Sequence, residues 1–192
     1  KNLGSGLSVP YYYAISKDKD LTFTNYFYID ENPLFIGEYR QAFKNSNLTL
    51  DMGYTQGYKN TSATKKSGEK SHFFSNFVSL FKGKNNSENI FKFRTQDVSN
   101  DKYLKLYRIN SDLVDYNQDI LENYIDFSHS SDEIFLSANA TIYENLKENY
   151  NDKYEYIFPE VTLDKNLFQN DTLGSLDLLS NFRVNNYDTN KT

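Results

Sequence analysis

The sequence contains no cysteine and no tryptophan, one methionine, two histidines and three prolines in 192 residues. Without cysteine the segment holds neither a disulfide nor a thiolate metal site, an absence that is silent on compartment. His72 and His129 stand far apart, with no His or Cys at ligand spacing, so neither is read as catalytic or metal-binding. Long hydrophobic runs are missing too: nothing approaches the roughly 20 apolar residues of a spanning helix. There is no P-loop, dinucleotide fingerprint or nucleophile elbow, and no enzyme activity, metal or cofactor is expected. A formal net charge of -5 leaves no basic footprint, so nucleic acid is not an expected partner. The Lys65-Lys66 pair sits in a Ser/Thr/Gly-rich stretch and reads as solvated.

What the chain does have is aromatic side chains, 17 Tyr and 15 Phe, within a composition only 38% hydrophobic. Disordered chains are poor in aromatics, so these residues need a structured setting. Period-two alternation supplies one. Ile134, Leu136, Ala138, Ala140 and Ile142 share one face of a strand, and Leu48, Leu50, Met52 and Tyr54 oppose Thr49, Asp51, Gly53 and Thr55. The same pattern runs through Leu21-Phe23-Phe27-Ile29, Phe73-Phe77-Phe81, Leu121-Ile125-Phe127, Ile157-Val161-Leu163 and Leu176-Leu178-Phe182-Val184, giving about ten strands. Short polar links of the hairpin kind separate them at 17–20, 30–33, 44–47, 83–86 and 130–132. Three longer connections, 57–70, 99–117 and about 144–153, each follow an even-numbered strand, which puts them at one end of an antiparallel meander.

Other features carry less. Asp112, Asp115 and Asp119 lack the glycine turn and terminal Glu of a calcium loop, and read as solvated. Asn-x-Ser/Thr triplets at Asn47, Asn60, Asn85, Asn139 and Asn170 arise readily in so polar a chain. Residues 141–148 are the best helical alternative, but continue a strand pattern, while Tyr103–Tyr107 reads as a short strand or packed loop segment. On composition alone the aromatics suit either interfacial girdles of a membrane barrel or the core of a soluble or cell-surface β-sandwich that binds glycan or protein through exposed Tyr. Leu34 and Ile36 share a single face with Glu38 and Arg40, which argues for the soluble case.

Gly6–Ser16, GLSVPYYYAIS, is a strand with proline at its centre, and proline has no N–H for the ladder. That run, with Asp20-Leu21-Thr22-Phe23-Thr24, Gly37-Glu38-Tyr39-Arg40, the loop Val98-Ser99-Asn100-Asp101-Lys102-Tyr103-Leu104-Lys105-Leu106-Tyr107 and Tyr156-Ile157-Phe158-Pro159-Glu160-Val161, resembles the lipopolysaccharide-assembly outer-membrane translocon, the organic-solvent-tolerance protein family. Asp101, Tyr103, Leu104, Tyr107, Pro159 and Glu160 are the positions that match the family's later motifs. The resemblance implies an all-β fold, an antiparallel meander of about ten strands forming part of a large transmembrane β-barrel in the cell outer membrane of a Gram-negative bacterium. Residues 1–192 would be early strands of one barrel domain, with a periplasmic domain and the closing strands outside the chain. It also implies lipopolysaccharide as cargo, leaving through a lateral gate between first and last strands. The implied partners are a periplasmic lipopolysaccharide-bridge protein, an outer-membrane lipoprotein plug and membrane lipids. The gate would involve Pro10, Tyr11, Tyr12 and Asn25, the last standing where the family has a second proline.

Overall fold

The computed structural model describes residues 3–62, 65, 67–84, 87–147 and 151–187. They form one antiparallel sheet of ten strands in sequence order, the expected meander: β1 (Gly6–Ser16), β2 (Lys19–Tyr28), β3 (Leu34–Ala42), β4 (Ser46–Gly57), β5 (Ser67–Lys82), β6 (Glu88–Val98), β7 (Ile120–Ser130), β8 (Ile134–Asn145), β9 (Tyr154–Asn170) and β10 (Gly174–Tyr187). Among the described residues β1 and β10 each pair on one side only. The long connections, 58–66, 99–119 and 146–153, follow β4, β6 and β8 and so lie at one end of the sheet, with β1 starting and β10 finishing at that same end. The helical alternative at 141–148 is not adopted, because β8 runs on to Asn145; Glu148 lies outside the described residues.

Cross-strand register divides the side chains into two faces. On one face Leu48, Phe77, Phe93, Ile125 and Ala140 form a row across five strands, and Phe91, Phe127, Ala138, Val161 and Phe182 form another. Neither row carries an ionisable group. Phe23, Phe35, Met52, Phe73, Ile142 and Phe158 extend this face, all of them exposed, and none of the described residues buries them. The opposite face carries Asp20 and Arg40 (3.0 Å apart), Arg94 and Glu122 (3.6 Å), Lys92 and Asp126, and Glu160 and Arg183.

Part of that charged face is covered by the 99–119 connection. Its single helical turn, α1 (Tyr103–Tyr107), was expected as a strand or loop; it closes at Arg108 in the left-handed conformation (φ 53°). Tyr103, Leu104, Tyr107, Ile109, Leu113 and Val114 pack with Leu34, Phe74, Val98, Leu121 and Leu146 into the core. This explains the mixed face of β3. Leu34 lies beneath the connection and Ile36 against it, whereas Glu38 and Arg40, farther along, are half-buried and ion-paired, with Arg40 lying between Asp20 and Glu38.

Pro159 sits in an interior strand, where its missing N–H would normally break a ladder. Asn139 pairs with Glu160 and Thr141 with Ile157, so Phe158 and Pro159 together oppose Ala140 in a bulge, matched on β10 between Arg183 and Asn185.

Candidate functional site

Two places gather the residues singled out by sequence: the free edge of β1 and the connection packed on the charged face. At the edge, the β1–β2 register runs without interruption from Gly6↔Tyr28 to Ala14↔Asp20, with Pro10 opposite Thr24. Ile29 N–H donates to Ser5 C=O at 3.0 Å, which makes that pair a hydrogen-bonded one. Antiparallel ladders alternate, so Leu7, Val9, Tyr11 and Tyr13 bond to β2, while Ser8, Pro10, Tyr12 and Ala14 turn their backbone groups outward. Ala42 N–H donating to Asp18 C=O fixes the same alternation on the far side of β2. Proline therefore leaves its strand's pairing with β2 whole and removes a donor from the open edge.

Tyr11 and Tyr12 are 64% and 59% exposed, one on each face. Asn25 lies opposite Val9 in a hydrogen-bonded pair, so its N–H is used where a second proline would have none.

On the charged face, Tyr103 reaches down to His72, with its hydroxyl 3.0 Å from Nδ1, and His72 Nε2 lies 3.1 Å from Asp51 Oδ1. All three are buried, and the His72 ring stacks on Phe74 with centroids 4.6 Å apart. A carboxylate only accepts, so in the neutral ring Nε2 carries the proton and Nδ1 accepts from the phenol. Burial pushes the Tyr103 phenol far above its ordinary range, which keeps it a donor. Gly53 makes room: a Cβ there would run into the His72 ring and lie 2.9 Å from the Tyr103 hydroxyl. The chain of polar groups is sealed from solvent and fastens the connection to β4 and β5.

A second anchor lies where β6 and β7 part. Their ladder ends at Arg94↔Tyr124, and beyond it Asn123 Oδ1 takes the Gln96 N–H at 2.7 Å while its amide donates to Gln96 C=O. The Gln96 side chain donates to Leu113 C=O at 2.7 Å and accepts from Glu122 N–H. Asp101 and Asp119 tie the connection to the neighbouring one through Lys153 (3.1 Å) and Lys147 (3.7 Å). Lys105 also donates to Asp119 and holds its carboxyl below the usual aspartate range. Asp119 is thus paired rather than simply solvated, and Asp115 accepts from Asn117 N–H. Lys65 is likewise not free: its Nζ lies 3.3 Å from buried Glu31 and over the Tyr58 ring, while Lys66, Asn85 and Asn86 lie outside the described residues.

The structure therefore brings Asp101, Tyr103, Leu104 and Tyr107 together in one packed connection, and places Pro159 and Glu160 apart from them in β9. Asp51, Gly53, His72, Gln96 and Asn123 went unrecognised in the sequence. For Asp51, Gly53, His72 and Gln96 the one signal was a polar or missing side chain on the strand face opposite the apolar one; Asn123, level with Ile142, had none. No family model matches the chain, and no curated protein matches it.

Proposed function

We propose that this chain is a segment of an outer-membrane β-barrel translocon that carries lipopolysaccharide to the cell surface, a conduit in which no bond is made or broken. The observation that carries the membrane reading is the pair of faces: uncharged apolar rows on one side of strands β4–β10 and ion pairs on the other. The strands run from nine residues (β3) to 17 (β9), and a tilted spanning strand needs about 9–11. A sheet with lipid on one side and a wet interior on the other has this alternation. A β-sandwich would lay a second sheet on the apolar face, but the described residues form a single sheet.

The cargo, and the lipoprotein and periplasmic-bridge partners, rest on the sequence resemblance. The edge of β1 fits a seam that opens. A strand docked there would find no donor at Pro10, and one missing bond is worth about 0.5–1.5 kcal/mol net, more where water cannot replace it. Pro10→Val in the full-length parent restores the donor and is expected to slow surface delivery of lipopolysaccharide, read by surface labelling of newly made lipid. Unchanged delivery removes Pro10 from the gate. The membrane assignment is tested separately: the purified chain should stay in solution in detergent micelles and precipitate in plain buffer, and a monodisperse detergent-free protein would refute it.

A further inference from the structure

The β6–β7 ladder stops short of both strands. It ends at Arg94↔Tyr124, yet β6 runs on to Val98 and β7 begins at Ile120. In the same register Gln96 would pair with Glu122 and Val98 with Ile120. The backbone is already turned for it. Ser99 N–H donates to Ser71 C=O on the β5 side and Leu146 N–H to Asp119 C=O on the β8 side, so by alternation the even-numbered residues of β6 and β7 face each other.

Amide side chains fill this parted stretch. Asn123 takes both backbone groups of Gln96, Gln96 Oε1 takes the Glu122 N–H at 2.8 Å, and Gln118 donates to Ile120 C=O at 3.1 Å. Four of the eight backbone groups that two further pairs would join are thus bonded to amides instead. Gln96 also holds the 99–119 connection: its Nε2 donates to Leu113 C=O, which Arg94 Nη2 meets at 2.9 Å.

Opposing costs set the balance between the parted and the paired arrangement. With the connection packed, Arg94 Nε is buried without a partner among the described residues, a penalty that withdrawal would lift. With the strands paired, Asn123, level with Ile142 on the apolar face, loses both backbone partners, and Tyr103, Leu104 and Tyr107 lose their place in the core. Backbone hydrogen bonds are exchanged between the two, not simply lost, which is the signature of a two-state element.

We propose that the β6–β7 rim is a zipper coupled to the 99–119 connection. The packed connection keeps the strands apart through the Gln96 and Asn123 amides; its withdrawal lets Gln96 and Val98 pair with Glu122 and Ile120 and uncovers the charged face. Release and pairing are one event, because Gln96 serves both. The zipper requires neither membrane nor cargo and stands apart from the transport reading.

The test uses the chain in mild non-ionic detergent. Asn123→Val removes the clasp and leaves an apolar side chain on the apolar face. Pairing is expected to slow hydrogen exchange at the Val98 and Ile120 amides at least tenfold, while trypsin cuts at Lys102, Lys105 and Arg108 at least tenfold faster. A strand end that merely frays gives faster exchange at both amides and overturns the proposal, as does unchanged exchange. A second variant, Val98→Cys with Ile120→Cys, introduces the only two thiols of a cysteine-free chain and locks the pair on oxidation. Its oxidised form is expected to be cut within 99–119 at least tenfold faster than its own reduced form, which controls for folding. Equal cleavage of the two forms, or failure of the thiols to join, also overturns it.

Discussion

At the scale of single residues, fastening of the 99–119 connection depends on an empty space and a hydroxyl. Gly53→Ala forces a methyl group against His72 and the Tyr103 hydroxyl, an overpacking expected to cost about 1–3 kcal/mol. Tyr103→Phe keeps the ring and deletes the hydroxyl that satisfies His72 Nδ1, at a similar cost of about 1–3 kcal/mol. Limited trypsin digestion at Lys102, Lys105 and Arg108 should report both as faster cleavage, and an unchanged rate would mean that the polar chain holds nothing. Asp119 adds a pH dependence. Its folded pKa lies below the unfolded one because Lys105 donates to it, so the folded state binds fewer protons. The stabilisation is complete above the ordinary aspartate range and disappears as pH falls through the folded value. Pepsin cleavage of the connection, relative to an unstructured peptide, should therefore rise below about pH 3.8, the ordinary aspartate value, and should rise less in Asp119→Asn.

At the scale of elements, β1 and β9 deal with proline differently. Pro159 is absorbed by a bulge between two partners, whereas Pro10 faces the open side of an edge strand and disturbs nothing inside the sheet. Asn25 offers the contrast. Asn25→Pro would delete a donor that bonds to Val9, so hydrogen exchange should quicken across Leu7–Tyr13, while Pro10→Val should leave exchange between β1 and β2 as it was. The strands were legible in the sequence because period two is a local signal, as Ile134 to Ile142 shows, and parity of the long links followed from counting. The sidedness of Pro10 was not, since it depends on which pair of β1 and β2 is hydrogen-bonded. Nor was α1: Tyr103–Tyr107 is too short to declare a helical period, and what makes it a turn of helix is burial against Leu34 and Phe74 from strands far away in sequence. His72 and Asp51 lie 21 residues apart, so their meeting is a product of register.

At the scale of the whole molecule, adjacent residues belong to different environments. Phe77 lies on the bare apolar face and Asn76 on the charged one. On the proposed membrane reading, Phe77→Arg should destabilise by about 2–4 kcal/mol in a bilayer and Asn76→Arg by far less, as measured by urea titration in liposomes. Equal penalties would contradict the assignment of faces. The mixed face of β3 has a structural cause: Leu34 is buried under the 99–119 connection, while Glu38 and Arg40 lie farther along the strand, where Arg40 pairs with Glu38 and with Asp20. An even strand count has its own arithmetic. Because β1 enters and β10 leaves at the same rim, chain can be added or excised here in hairpin pairs without reversing the direction of any remaining strand, while loss of a single strand would turn every later loop to the opposite side. Growth or shrinkage of such a wall is therefore quantised in twos.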